Sequence, residues 1–146
     1  KTEAAALPSD QEAAEVVLAR DYPGRRLLLA EDEPINQEIA CELLSQAGLR
    51  VDIANDGVEA VDMAASTAYD LILMDMQMPR MDGLAATRAI RSQPGGAKVP
   101  IVAMTANAFV EDREKCKAAG MNDFLAKPAN PDLMYATVLK WLAVKA

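Results

Sequence analysis

Residues 69–83, Tyr69-Asp70-Leu71-Ile72-Leu73-Met74-Asp75-Met76-Gln77-Met78-Pro79-Arg80-Met81-Asp82-Gly83, decide the architecture. The apolar run up to Met74 ends on a carboxylate, and the turn-forming residues Pro79 and Gly83 follow soon after. A short, unbroken apolar run bounded by turn residues reads as a strand covered on both faces. In open α/β sheets, ligands collect beyond the carboxyl ends of such strands. Asp75 therefore has a chemical reading, because an ionised side chain leaving a buried strand needs a cation or hydrogen-bond donors.

The same arrangement occurs upstream, where Arg26-Leu27-Leu28-Leu29-Ala30 runs into Glu31-Asp32-Glu33 before Pro34 opens a helix. If the two strands are neighbours, Glu31, Asp32 and Asp75 converge, and like charges at close range do not all ionise without a counter-ion. An all-oxygen site with few protein ligands suits magnesium, which keeps several waters and favours phosphate substrates. Glu33 is either a member of this acidic group or the N-cap of the following helix, and both readings stay open here.

Outward from these two runs, strand and helix alternate. Ile35, Ile39, Leu43 and Ala47 recur at four-residue spacing before Gly48, which predicts a helix over 34–47 with that row as its apolar stripe. A short strand over 50–54 and a helix carrying Val58, Val61 and Ala65 come next. The Asp75 strand leads into a helix over 84–91 and the turn-rich Gln93-Pro94-Gly95-Gly96. A fourth strand is expected over 99–104, a helix over 107–119 stopped by Gly120, and a fifth strand over 123–126. The last helix opens at Pro131 behind Asn130, a cap candidate. Five strands alternating with five helices predict an α/β fold with a doubly wound, five-stranded parallel sheet. Residues 1–24, rich in Ala and Glu, read as a linker or an N-terminal helical extension, with a helix over 10–19 and capping-box spacing between Ser9 and Glu12. Residues 25–146 form the domain proper.

Composition narrows the function. With 146 residues, 51% hydrophobic and 25% charged, one self-sufficient core is expected. A formal net charge of −7 argues against a nucleic-acid surface. No apolar stretch reaches the length of a membrane span, and the N-terminus lacks the pattern of a signal peptide. The start at Lys1 rather than Met is that expected of a segment of a longer chain. A cytoplasmic domain is expected, within a parent chain that leaves room for a membrane anchor. Cys41 and Cys116 lie in predicted helices without metal-like spacing, so they read as reduced, structural thiols. The chain has no histidine. A phosphohistidine or a His-based triad is therefore excluded, and any histidine in the mechanism must come from a partner.

Two further strand ends add polar groups: the fourth reaches Thr105, and the fifth is followed by Lys127-Pro128, a step that restricts the lysine backbone. Three acids, a hydroxyl and an ammonium suit phosphoryl transfer, which needs positioning and charge neutralisation more than covalent machinery. Asp75 would be the nucleophile, with magnesium held by Asp32 and Asp75. Lys127 would add a point charge and Thr105 a hydrogen bond to phosphoryl oxygens.

In this set and its order, the chain from Arg25 to Ala146 resembles a response-regulator receiver domain of two-component signalling. The stretches Glu31-Asp32-Glu33-Pro34-Ile35-Asn36-Gln37, Met74-Asp75-Met76-Gln77-Met78-Pro79 and Ala103-Met104-Thr105-Ala106-Asn107-Ala108 most resemble receivers fused to hybrid sensor histidine kinases. The resemblance implies a flavodoxin-like receiver fold with Asp75 as phosphoacceptor and Glu31 with Asp32 as the acidic pair. It implies that the backbone carbonyl of Gln77 completes the magnesium ligands, that Thr105 and Lys127 are the family's hydroxyl and lysine, and that Phe124 is the switch aromatic. The implied partner is a histidine kinase or a histidine phosphotransfer domain, with no nucleic acid and no membrane contact by this segment. The implied role is that of a phosphoacceptor rather than a turnover enzyme.

Two departures from the family pattern matter. Glu31 stands where many members have Asp, and its longer side chain is expected to reach the metal through water. Phe124 stands where others carry Tyr, so it can rotate inward but offers no hydroxyl, and core packing alone would also account for it. Gln77 and Asn107 are expected beside the path of a hydrolytic water. Met74, Met76, Met78 and Met81 crowd the acceptor loop, either as adaptable core filling or as a docking surface. Ile35 is either core or part of a surface that meets a four-helix phosphodonor. A receiver fold insensitive to phosphate remains an alternative. A flavodoxin-like cofactor binder conflicts with Glu31-Asp32-Glu33, which would repel phosphate. A magnesium phosphatase with an aspartate nucleophile would need a second acid where Gln77 stands.

Overall fold

Strands β1 (Arg26–Ala30), β2 (Arg50–Ala54), β3 (Leu71–Asp75), β4 (Ile101–Thr105) and β5 (Asp123–Ala126) pair in parallel in the order β2-β1-β3-β4-β5. A computed structural model of the protein describes residues 10–78, 80–105, 110–126 and 130–145. The helices are α1 (Asp10–Asp21), α2 (Pro34–Gln46), α3 (Gly57–Ser66), α4 (Gly83–Arg91), α5 (Val110–Ala119) and α6 (Pro131–Lys145). Alternation along each strand divides the core into two layers. Leu27, Leu29, Leu71, Leu73, Val102, Met104 and Leu125 face α1, α2 and α6. Leu28, Ala30, Ile72, Met74, Ile101 and Ala103 face the side of α3, α4 and α5. Every residue of β3 is buried, as its continuous apolar sequence requires.

Six helices are present: the five that alternate with the strands, and α1, the N-terminal helix expected over 10–19. It runs to Asp21, and its Ala14 and Leu18, one turn apart, are buried in the same cluster as Met134, Tyr135, Val138 and Leu142 of α6. Two apolar residues at i and i+4 give even an Ala- and Glu-rich helix a seam to bury. Ser9 and the predicted helix start at Asn107 lie outside the described residues.

The apolar stripe of α2 differs from the expected one. Ala40, Leu44 and Ala47 are buried and Leu43 is partly so, whereas Ile35 and Ile39 are 66% and 52% exposed. With 3.6 residues per turn, a strict four-residue repeat drifts by about 40° at each step, so the row starts on the exposed face at Ile35 and reaches the core only at Leu43 and Ala47. β4 begins at Ile101 rather than Val99. Pro100 has no amide to give the ladder, and the Val99 carbonyl is taken by Arg91 Nη1 (2.6 Å).

Candidate phosphoacceptor site

The strand order places β1 between β2 and β3, so the chain reverses its direction of winding beside β1, where open α/β sheets form their crevice. Register then sets the chemistry. Ala30 pairs with Met74, so Glu31 and Asp75 leave adjacent strands at the same level. Asp75 pairs with Met104, which puts Thr105 one residue further along the next strand. One carboxylate oxygen from each of Glu31, Asp32 and Asp75 lies within 4.8 Å of the other two. Glu31 and Asp75 are buried and Asp32 is exposed, so the group opens to solvent on one side. Glu31, Asp32, Glu33, Asn36, Asp75, Met76, Gln77 and Thr105 line the resulting cleft of about 280 Å³.

Local hydrogen bonds fix the acids. The amide of Glu33 donates to Oε2 of Glu31 (3.1 Å), and the amide of Gln77 donates to Oδ1 of Asp75 (3.1 Å). The two readings of Glu33 resolve in favour of the cap: its Oε1 accepts from the amides of Ile35 (2.6 Å) and Asn36 (3.3 Å) at the start of α2. Asn130 likewise caps α6, its Oδ1 accepting from the amide of Asp132 (2.8 Å). Gln37 ties the two acidic-side loops together through its amide nitrogen, which donates to Oδ1 of Asn55 (2.8 Å).

The loop after Asp75 is held from two sides. Gly83 starts α4 where an added Cβ would collide with the Asp75 carbonyl, so only glycine allows this approach. Arg80 is the one described non-glycine residue in the left-handed region, with φ 66°, and its Nε donates to Oδ2 of Asp56, the N-cap of α3 (2.8 Å). The bond from Arg80, joined by the amide of Glu59, holds the Asp56 carboxyl below the usual range. Met74 is buried, and Met76, Met78 and Met81 pack against the same cluster, so the methionines of this loop fill the core. The Asp56–Arg80 pair escaped the sequence reading. An Asp before Gly57 carries a capping signal, but nothing in sequence marks Arg80 for positive φ.

Thus Glu31, Asp32, Asp75, Gln77 and Thr105 line one cleft. Phe124 is not in the cleft. It is half-buried on β5, opposite Ala103 and on the sheet face that Ala103 shares with Thr105 two residues on. Lys127 and Asn107 lie outside the described residues. Neither Cys41 nor Cys116 is in a disulfide, and burial raises the pKa of Cys41.

With this geometry in view, the sequence from residue 27 to 139 matches the response regulator receiver domain family. The chain belongs to that family. Over 129 residues this receiver is 45% identical to hybrid signal transduction histidine kinase B of Dictyostelium discoideum, an alignment covering 80% of this chain and 7% of the kinase. The receiver spans only 7% to 14% of the length of the curated relatives it matches most strongly. The receiver domain of sensor histidine kinase PA1611 from Pseudomonas aeruginosa PAO1, solved with magnesium coordinated in its active site cleft, is 46% identical. Its TM-score is 0.78, and the match covers 82% of this chain and 98% of that one. A second similar structure is that of the Saccharomyces cerevisiae histidine phosphotransfer protein Ypd1 with the receiver domain of the response regulator Ssk1. It is 31% identical with a TM-score of 0.78, covering 85% of this receiver and 92% of that chain. Among the described residues, no helix of the receiver is long and apolar enough to cross a membrane.

Proposed function

We propose that this receiver accepts a phosphoryl group on Asp75 from a partner's phosphohistidine and that the modification switches its partner-binding surface. The observation that carries the reading is the meeting of the Glu31, Asp32 and Asp75 carboxylates in one cleft with Thr105. Three oxygen donors with no nitrogen or sulfur suit a hard divalent cation that prefers oxygen. Glu31, Asp32, Asp75 and the backbone carbonyl of Gln77 would hold magnesium, which when bound neutralises the acids and screens the incoming phosphoryl charge.

An oxygen of Asp75 attacks phosphorus and forms a P–O bond. The P–N bond to the partner's imidazole breaks, and the imidazole leaves with the electron pair. The Gln77 amide keeps the Asp75 carboxylate oriented during the attack. The Thr105 hydroxyl, at the level of the new acyl phosphate, donates to a phosphoryl oxygen, and Lys127 supplies the balancing positive charge. Phosphorylation replaces about one negative charge by about two. Movement of Thr105 towards the phosphoryl group opens space beside its diagonal neighbour Phe124, whose ring then redistributes between an outer and an inner packing.

Ile35 and Ile39, exposed one turn apart on α2 beside the cleft, suit docking of a helical phosphodonor such as a histidine kinase or phosphotransfer domain. Residues 25–146 form the receiver unit, α1 is an extension docked on α6, and the location is cytoplasmic, within a parent chain of hybrid-kinase type. The test is acid-labile labelling by a small phosphodonor with magnesium. Asp75→Asn should abolish it, and undiminished labelling of that variant overturns the assignment.

A further inference from the structure

α5 touches the switching machinery at two points one helical turn apart. The guanidinium carbon of Arg113 stands 4.5 Å from the centroid of the Phe124 ring. Three residues later, the buried Cys116 places its Sγ 3.7 Å from Sδ of Met76, the residue that follows Asp75. Side chains at i and i+3 share a helix face, so one face of α5 meets both the aromatic and the root of the acceptor loop. Arg113 is exposed, and among the described residues it meets the Phe124 ring and forms no ion pair. Phe124 is packed on its inner side against the α3–α4–α5 layer. Lacking a hydroxyl, it has no polar anchor of its own.

We propose that Arg113 is a positioning residue: its guanidinium latches the Phe124 ring in the outer, resting orientation and so sets how readily the receiver is phosphorylated. The inference rests on the phosphoacceptor reading of Asp75. The attraction is that of a cation for the negative face of an aromatic ring. Inward rotation of the ring breaks it, so the latch favours the resting packing and leaves the phosphorylated one without its contribution.

The sign of the effect separates this role from plain electrostatics. Removing a positive charge near an acidic cleft would slow the approach of an anionic phosphodonor, whereas releasing a latch speeds phosphorylation. The experiment measures the rate of Asp75 labelling by acetyl phosphate with magnesium, in the unmodified chain and in Arg113→Gln, Arg113→Lys, Phe124→Leu and Arg113→Gln/Phe124→Leu. A cation–ring contact at an exposed site shifts an equilibrium by about two- to fivefold, so Arg113→Gln should label faster by that factor. Arg113→Lys should restore most of the resting rate. In the Phe124→Leu background, Arg113→Gln should have no effect. An unchanged or slower rate in Arg113→Gln, or an equal acceleration with and without the ring, overturns the latch. Failure of the unmodified chain to label at all would instead overturn the phosphoacceptor reading.

Discussion

At the carboxyl end of the sheet, three carboxylates stand within 4.8 Å of one another, two of them buried. At the amino end, a single half-buried cation is shared among neutral acceptors. Arg91, in the last turn of α4, donates from Nε to the Gly120 carbonyl (2.9 Å) and from Nη1 to the carbonyls of Gly96 (2.7 Å) and Val99 (2.6 Å). Its Nη2 donates to Oδ1 of Asn122 (2.8 Å). Nearby, the Arg26 amide donates to Oδ2 of Asp70 (2.9 Å), and Tyr69 donates its hydroxyl to Asp52 (2.8 Å). Crowding like charges works against folding and is retained where a cation is to be bound. Spreading one cation over neutral acceptors ties loops together and offers nothing to a substrate. One end of the sheet is arranged for chemistry and the other for stability.

The largest effect on stability should follow from breaking the amino end. Arg91→Met removes the donor that joins the α4–β4 connection to the turn at Gly120, and it leaves three carbonyls without their partner. Each buried acceptor left unsatisfied costs about 1–3 kcal/mol where water cannot reach it. Part of the site is open to water, so a total loss of about 3 kcal/mol in unfolding free energy is expected from denaturant titration. Labelling of the folded fraction at Asp75 should remain within twofold. A variant of full stability, or one that stays folded yet cannot be phosphorylated, would erase the division between the two ends.

The carboxyl end should show the opposite sign. Asp32→Asn relieves one like-charge contact and is expected to raise stability by roughly 0.5–1 kcal/mol in the presence of a chelator. Magnesium should reverse the order. At a hundred times its dissociation constant, a ligand bound only by the folded chain adds about 2.7 kcal/mol. The unmodified chain should therefore gain melting temperature with added magnesium while Asp32→Asn gains much less. Melting curves that do not respond to magnesium in either protein would remove the reason for the acids to converge.

The same contrast explains what could be read in advance. β1 and β3 were legible because Leu27–Ala30 and Leu71–Met74 are unbroken apolar runs, and the acids ending them were legible as exceptions to that pattern. Their meeting depended on β1 and β3 being neighbours, a fact of topology that the Ala30–Met74 register supplies. Arg91 left no trace, because its acceptors are mainly backbone carbonyls and any residue could provide them. Gly120 was read only as a helix stop. Its φ of +107° and its contact with the Arg91 side chain show that it also makes room for that cation. The stripe on α2 failed for a geometric reason: a four-residue repeat resembles a helical face over two turns and departs from it over four.

An effect smaller than the gain from magnesium sharpens the amino end through its pH dependence. Tyr69 is buried, and burial, joined by its bond to Asp52, pushes its hydroxyl from 10.0 up to about 12. The folded chain thus holds this proton more tightly than the unfolded one. The contribution is complete below pH 10, where both states are protonated, and it is lost as pH rises through the folded value near 12. Tyr69→Phe should cost about 1 kcal/mol at neutral pH, the net worth of a hydrogen bond to a charged acceptor that keeps other contacts. Arg26 Nε, 3.8 Å from Asp52, remains to hold that acid in the variant. Tyr135 is also raised, by burial, so the unmodified chain alone would not isolate the effect. The difference in unfolding free energy between the two proteins, followed from pH 8 upwards, does, because Tyr135 is common to both. That difference should be constant to about pH 10 and shrink above it. A gap that widens with pH would mean that the ionised phenolate, and not the hydroxyl, is the form the amino end stabilises.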